Sequence, residues 1–192
     1  MQQARCPIRI GGIRFGLTPA DVVTLSGLRN EMKAVDLCCG DGWFTVPIAQ
    51  KATFVAGIDL DPALIAQADK RLAAAKVKNY SLEIADARDI KHLASDQDFV
   101  FIANTFHGVD NKTDLARGVR AVLCLGGLFA VINWHPLPRE QTCLLGKPRG
   151  PHTELRMSPQ QTAELIEPAG FRLRTLWNVS DYHYVATFEA SC

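Results

Sequence analysis

From residue 30 onward, short apolar runs alternate with stretches in which apolar residues return every three or four positions. Ala34-Val35-Asp36-Leu37, Phe54-Val55-Ala56-Gly57-Ile58, Tyr80-Ser81-Leu82-Glu83-Ile84, Phe99-Val100-Phe101-Ile102 and residues 128–133 are each four to six residues long. That is the length of strands buried in a layered sheet. Leu64, Ile65, Ala68 and Leu72 form a helical stripe behind Asp61-Pro62, and Leu115, Val119, Val122 and Leu123 form another, expected to stop at Gly126-Gly127. Both stripes read as helices with one face in a core. Residues 43–50 supply a helix after the first strand. Ser158-Pro159-Gln160-Gln161 has the pattern of a capping box ahead of Ala163, Leu165 and Ile166, and Thr18-Pro19-Ala20-Asp21 reads as another helix start. Residues 171–177 and 182–188 alternate as two final strands. Strands alternating with helices predict an α/β fold.

Composition narrows the picture. The length of 192 residues fits one domain, 1–192, and an apolar content of 47% is enough for a sizeable core. Lys plus Arg number 21 against 20 Asp plus Glu, so no overall charge draws the chain to a polyanion, and nucleic acid is not an expected partner. Arg5, Arg9 and Arg14 enclose no apolar stretch, which argues against a signal peptide. No apolar run approaches the roughly 20 residues of a membrane span. The expectation is a cytoplasmic protein that does not enter a membrane. Six cysteines show no paired metal spacing; Cys38, Cys39 and Cys124 read as core thiols, and no metal site is expected.

Polar groups recur where the apolar runs end. The first strand leads into Cys38-Cys39-Gly40-Asp41-Gly42, the second ends in Asp59, the third in Ala85-Asp86-Ala87, and the fourth in Ala103-Asn104-Thr105-Phe106-His107. A strand, a glycine turn, a helix and a second strand ending in a carboxylate is how an open parallel sheet holds an adenosine nucleoside at its carboxyl edge. Gly40 and Gly42 leave no Cβ between backbone and ligand, and Asp59 stands where a ribose diol would offer it two hydroxyls. The plainer reading is a pair of turn glycines and a strand-end acid. A dinucleotide oxidoreductase is the nearest competitor, but its fingerprint needs a third glycine beyond Gly42, where Trp43-Phe44-Thr45 stands.

With Val35 to Gly42, Gly57-Ile58-Asp59-Leu60-Asp61-Pro62, Ala85-Asp86-Ala87, Ala103 to His107 and Val122-Leu123-Cys124-Leu125-Gly126-Gly127 in this order, the chain resembles the class I S-adenosylmethionine-dependent methyltransferases. It is most similar to the small-molecule group that includes the ubiquinone and menaquinone biosynthesis enzymes. The resemblance implies a Rossmann-like, seven-stranded, mostly parallel sheet with an antiparallel C-terminal hairpin and helices on both faces. It implies S-adenosyl-L-methionine as cofactor and methyl transfer to a small-molecule acceptor by direct displacement. Asp36 with the Gly40 and Gly42 turn would hold the amino-acid end, Asp59 the ribose, Leu60 the adenine face, and Asp86 with the Ala87 backbone the adenine amino edge. Asn104 would lie below the sulfonium. Cys38 stands where the family usually has glycine, either adding bulk near the methionine end or pointing into the core.

The acceptor chemistry rests on fewer residues. His107 and His135 each follow a strand end and are the candidate bases, since imidazole titrates near neutrality. The neighbours Tyr182, His183 and Tyr184 offer one more group to the pocket, depending on which way the last strand faces. The segment 134–157 is too long for a connector and is a candidate lid, with Trp134 and Phe106 as apolar walls and Arg139, Lys147, Arg149 and Arg156 as candidates to recognise an anion. As an ordinary exposed loop it would only solvate those charges, with Glu154 and Arg156 as a surface ion pair. Residues 1–30 form a segment that either folds over the cofactor or covers the sheet. Two other function classes remain open: a metalloid or thiol methyltransferase using Cys6, Cys143 and Cys192, and a noncatalytic adenosyl-ligand-binding protein. The oligomeric state is open, a homodimer included.

Overall fold

The computed structural model describes residues 17–144 and 146–191. A first helix, α1 (Pro19–Leu25), precedes β1 (Lys33–Leu37), α2 (Thr45–Lys51), β2 (Phe54–Asp59), α3 (Pro62–Ala74) and β3 (Tyr80–Ile84). There follow α4 (Ile90–Leu93), β4 (Gln97–Ala103), α5 (Lys112–Val122) and β5 (Leu123–Trp134). A two-residue ribbon, β6 (Cys143–Leu144) with β7 (Lys147–Pro148), then leads to α6 (Pro159–Ile166) and the strands β8 (Phe171–Asn178) and β9 (His183–Ala190).

Seven strands make one sheet in the order β3-β2-β1-β4-β5-β9-β8. β1 to β5 pair in parallel, while β9 joins β5 and β8 antiparallel. Both the parallel body and the antiparallel hairpin agree with the reading from sequence. Alternation along β4 shows how the sheet is covered: Phe99 and Phe101 enter the core with Val22, Phe44 and Ile48 from α1 and α2, while Val100 and Ile102 enter a second core with Ile90, Leu115 and Ile166 from α4, α5 and α6. Helices therefore cover both faces, as buried parallel strands require.

Register decides where the polar strand ends meet. Leu37 lies opposite Ile58 on one side and Ile102 on the other, and Asp59 lies opposite Ile84. The carboxyl ends of β1, β2, β3 and β4 are thus level, and the loops that follow them share one edge. Two helices start as expected: Thr18 and Asp21 form a reciprocal capping box at α1, and Ser158 and Gln161 form one at α6.

One expectation needs correction. Gly126-Gly127 does not stop α5, which ends at Val122; Leu123 is already extended, at φ −83° and ψ 136°, and begins β5. The register with β4 then jumps from Gln97↔Leu123 to Phe99↔Leu128. The glycines lie inside a bulge of the strand, where a Cβ on Gly127 would stand 2.9 Å from the Cys124 carbonyl. The segment 134–157 carries the β6–β7 ribbon. Among the described residues no helix is long and apolar enough to cross a membrane.

Candidate functional site

The turn after β1 is set by three left-handed residues: Cys38 at φ 56°, Gly40 at 57° and Gly42 at 80°. A Cβ on Gly42 would come within 3.0 Å of the Ala68 backbone, so α3 packs directly on the turn. A Cβ on Gly40 would meet nothing within 4 Å, so this backbone borders open space at the carboxyl edge. The Asp59 carboxylate ties the loops together, accepting from Gly40 N through Oδ2 and from Asp61 N through Oδ1, each at 2.9 Å. Asp41 pairs with Arg71 of α3 at 2.5 Å, and Arg71 lies 5.2 Å over the Trp43 ring.

Asp36 is 2% exposed and accepts a 2.6 Å hydrogen bond from the Thr45 hydroxyl. Burial nevertheless pushes its carboxyl up to about 7, the Thr45 bond only partly opposing it. Cys38 was expected either near the methionine end or in the core. It is half-buried among the site carboxylates, and burial together with Asp59, Asp36 and Asp86 pushes its thiol up to about 12. Cys39 is buried as expected, while Cys124 is only half-buried.

The residues that the resemblance assigns to adenine follow the ends of β2 and β3. Leu60 is 51% exposed immediately after Asp59, an apolar side chain presented to solvent at the carboxyl edge. Asp86 accepts from the Arg88 backbone and, two-pronged, from its guanidinium, which holds its carboxyl below the usual carboxylate range. Ala87 is buried beneath it.

Beyond β4, Asn104 takes a left-handed φ of 56°, its amide donating to Ile132 O at 2.8 Å. Its side-chain Oδ1 and Nδ2 are buried without hydrogen-bond partners. An orphaned buried amide beside an open glycine turn, an exposed leucine and a tied carboxylate fits a nucleoside ligand with a polar tail.

The histidines occupy different environments. His107 Nδ1 lies 3.1 Å from Asn133 Oδ1, and that oxygen also accepts from Trp134 N at 3.0 Å. Because it accepts from a backbone amide, it is the oxygen of Asn133 that faces the ring; His107 Nδ1 therefore donates and Nε2 holds the lone pair. Burial lowers its pKa. His135 stands 5.3 Å from the Tyr184 ring, and burial lowers its pKa despite a hydrogen bond with Asn178. His183 was only one of three neighbouring possibilities in the sequence. Strand pairing decides between them: Tyr184 lies opposite Asn133 and His183 opposite Trp134. His183 is 8% exposed, 4.0 Å from the Trp134 ring, and lines the same cavity as Asn104.

The walls expected of the 134–157 segment are rearranged. Phe106 is fully buried and packs edge-on against Phe129 at 6.3 Å, so it belongs to the core. Trp134 is 4% exposed under Arg156 and Gly150, where a Cβ would lie 2.7 Å from the indole. Lys147 and Arg149 point to solvent and Arg139 is half-buried. Arg156, 5% exposed, donates to Pro151 O, Arg149 O and Thr142 Oγ1 rather than forming the surface pair with Glu154. Its Nη1 and Arg139 Nε are buried without partners. Thr45, Ser180 and the buried state of Arg156 carried no signal in the sequence, because each depends on how a turn or loop folds back on its own neighbours rather than on an apolar pattern. No group of three or more His, Cys, Asp or Glu among the described residues is placed to hold a metal.

Comparison with known proteins agrees with this geometry. Residues 34–127 match the methyltransferase domain family. An uncharacterized methyltransferase of Synechocystis is 29% identical over 131 residues, covering 67% of this chain and 58% of its own length. An uncharacterized protein of Mycobacterium tuberculosis H37Rv is 31% identical over 119 residues, covering 60% and 42%. The chain thus spans about half the length of these relatives. Among solved structures, a SAM-dependent methyltransferase from Aquifex aeolicus superposes with a TM-score of 0.77 at 21% identity, over 90% of this chain and 89% of that one. Residues 34–127, which hold the level strand ends and the glycine turn just described, are thus a methyltransferase domain, and the fold around them is that of the S-adenosylmethionine-dependent methyltransferases.

Proposed function

We propose that this protein methylates a small-molecule acceptor by direct displacement, at the carboxyl edge between Asn104 and the histidines beyond β4 and β5. When bound, S-adenosylmethionine supplies an electrophilic methyl group on a sulfonium. Asp36 and the 38–42 turn hold its amino-acid end, Asp59 its ribose, and Leu60, Asp86 and Ala87 its adenine. The single observation that carries the reading is the Asn104 side chain, buried and unpartnered at the end of β4, the strand paired with β1 and its open Gly40 turn. A polar group so placed has a ligand to meet.

The chain's main contribution is alignment, which supplies up to about 7–11 kcal/mol in favourable intramolecular cases. His107 acts as the base for an acceptor that must lose a proton: its Nε2 lone pair is available, and its lowered pKa keeps it neutral near pH 7. His135 is the second candidate base. The segment 134–157 closes over the acceptor through Trp134, with the free nitrogens of Arg156 and Arg139 available to an anionic substituent. Of the three cysteines of the metalloid alternative, Cys6 and Cys192 lie outside the described residues, and Cys143 is exposed with its sulfur on Glu140 O.

Calorimetric titration with S-adenosylhomocysteine should give saturable binding that weakens at least tenfold in Asp59→Ala. Labelled methyl should then pass to a component of a metabolite extract, and do so far more slowly with His107→Gln than with His135→Gln. Absence of thioether binding would remove the reading.

A further inference from the structure

At the end of β4 a cavity of about 10 Å³ opens between Asn104, His183 and Ser180 and the apolar side chains Val22, Phe44 and Ile132. That volume takes one water or one oxygen atom of a ligand. Asn104 and His183 are 9% and 8% exposed, yet Asn104 Oδ1 and Nδ2 and His183 Nε2 have no partner. Both residues line this largely apolar space, and their unpartnered buried atoms are costly until a partner reaches them.

Counting the hydrogen bonds of Ser180 decides which role His183 plays. Ser180 Oγ accepts from the backbone amides of Tyr182 and His183 at 3.1 and 3.0 Å. A hydroxyl has two lone pairs and one proton. With both lone pairs engaged, the proton goes to the remaining neighbour, His183 Nδ1, at 3.0 Å. Nδ1 therefore accepts, and the hydrogen of the neutral ring sits on Nε2. Burial, with the positive Arg156 nearby, keeps the ring neutral. His183 thus offers the cavity an N–H and no lone pair, the opposite of His107.

We propose that this cavity is an oxyanion subsite for the acceptor: His183 Nε2–H and Asn104 Nδ2–H together receive a negatively charged oxygen, as in a phenolate, enolate or carboxylate. The surroundings favour that charge. Arg156 acts on both His107 and His183 as a positive neighbour, so an ammonium in the cavity would face an N–H donor and a repulsive field. Ser180 is a positioning residue, since it acts only by holding the proton on Nε2. Calling the ligand an acceptor rests on the methyl-transfer reading; the donor pair itself does not.

The test is nitrogen-15 NMR of histidine-labelled full-length protein at pH 7, titrated with sodium formate as the smallest oxyanion and with sodium chloride or methylammonium chloride at matched ionic strength. The expected result is a His183 ring protonated on Nε2, whose N–H signal moves saturably with formate and not with either chloride salt. In Asn104→Ala the apparent formate affinity should fall at least tenfold. Ser180→Ala should mix the two ring forms, and Ser180→Thr should restore the single one, which separates positioning from a general loss of folding. A ring protonated on Nδ1, a formate response no larger than that of chloride, or an equal response to methylammonium overturns the proposal. A cavity that holds a water only gives the second of these outcomes. Adding S-adenosylhomocysteine to the same sample separates the two readings: formate binding without thioether binding leaves the subsite standing and removes methyl transfer.

Discussion

Cys38 is where residue identity and backbone geometry disagree most. Its φ of 56° is a glycine conformation, costing an ordinary L-residue about 1–2 kcal/mol. Cys38→Gly should raise stability by up to about 1 kcal/mol, the gain being trimmed by glycine's looser unfolded chain. It should also tighten S-adenosylhomocysteine binding in calorimetry; weaker binding would show that the thiol contributes a contact. Asp36 makes a second prediction. Its folded carboxyl titrates at about 7 because it is buried, and the ammonium of the cofactor's amino-acid end favours the ionised form. Binding should therefore release a proton near neutrality and strengthen as pH rises through about 7, measurable as a buffer-dependent binding enthalpy that disappears in Asp36→Asn. Asp59 and Asn104 stand out in the sequence because each closes a recognisable apolar run, and Asp36 because it interrupts one. His183 was not, since alternation along 182–188 allowed either tyrosine or the histidine to face the pocket. Only the pairing of Trp134 with His183, a contact almost fifty residues apart, decides it.

Among the elements, the turn between β1 and α2 is held from above by α3. Gly42 combines a φ of 80° with a Cβ position 3.0 Å from the Ala68 backbone, and backbone does not yield as a flexible side chain would. Gly42→Ala should destabilise the fold by about 1–3 kcal/mol, within the range for overpacking together with backbone strain, read from the urea midpoint. Gly40→Ala, with open space at its Cβ, should lose less stability and more cofactor affinity. The element boundaries show why patterning reads some joints and misses others. Capping boxes at Thr18 and Ser158 are local and were legible. The junction of α5 and β5 was not: Leu123 completes the apolar stripe of the helix while already lying in the strand, and Gly126-Gly127 looks like a helix stop although it forms a bulge.

At the scale of the whole molecule, the carboxyl edge stores two opposed titrations. His183 is pushed down to about 3 by burial, so between there and about 6.5 the unfolded chain holds a proton that the fold refuses. That part of the stability is complete above about 6.5 and is lost as pH falls toward 3. Asp36 works the other way: its raised carboxyl holds a proton that the unfolded chain gives up from about 3.8 upward, so its contribution fades as pH climbs to about 7. Denaturant midpoints across pH should show His183→Gln flattening the acid limb and Asp36→Asn gaining stability above neutrality. A wild-type acid limb unchanged in His183→Gln would mean that the ring accepts its proton without cost. The protonated state of Cys38 and Cys39 has a practical corollary. Thiol-directed reagents react with thiolates, so among the described cysteines maleimides and mild oxidants should pass over half-buried Cys38 and buried Cys39 while reaching Cys143 on the exposed ribbon. A dye attached there would ride on the 134–157 segment and report whether that segment moves when S-adenosylhomocysteine is added.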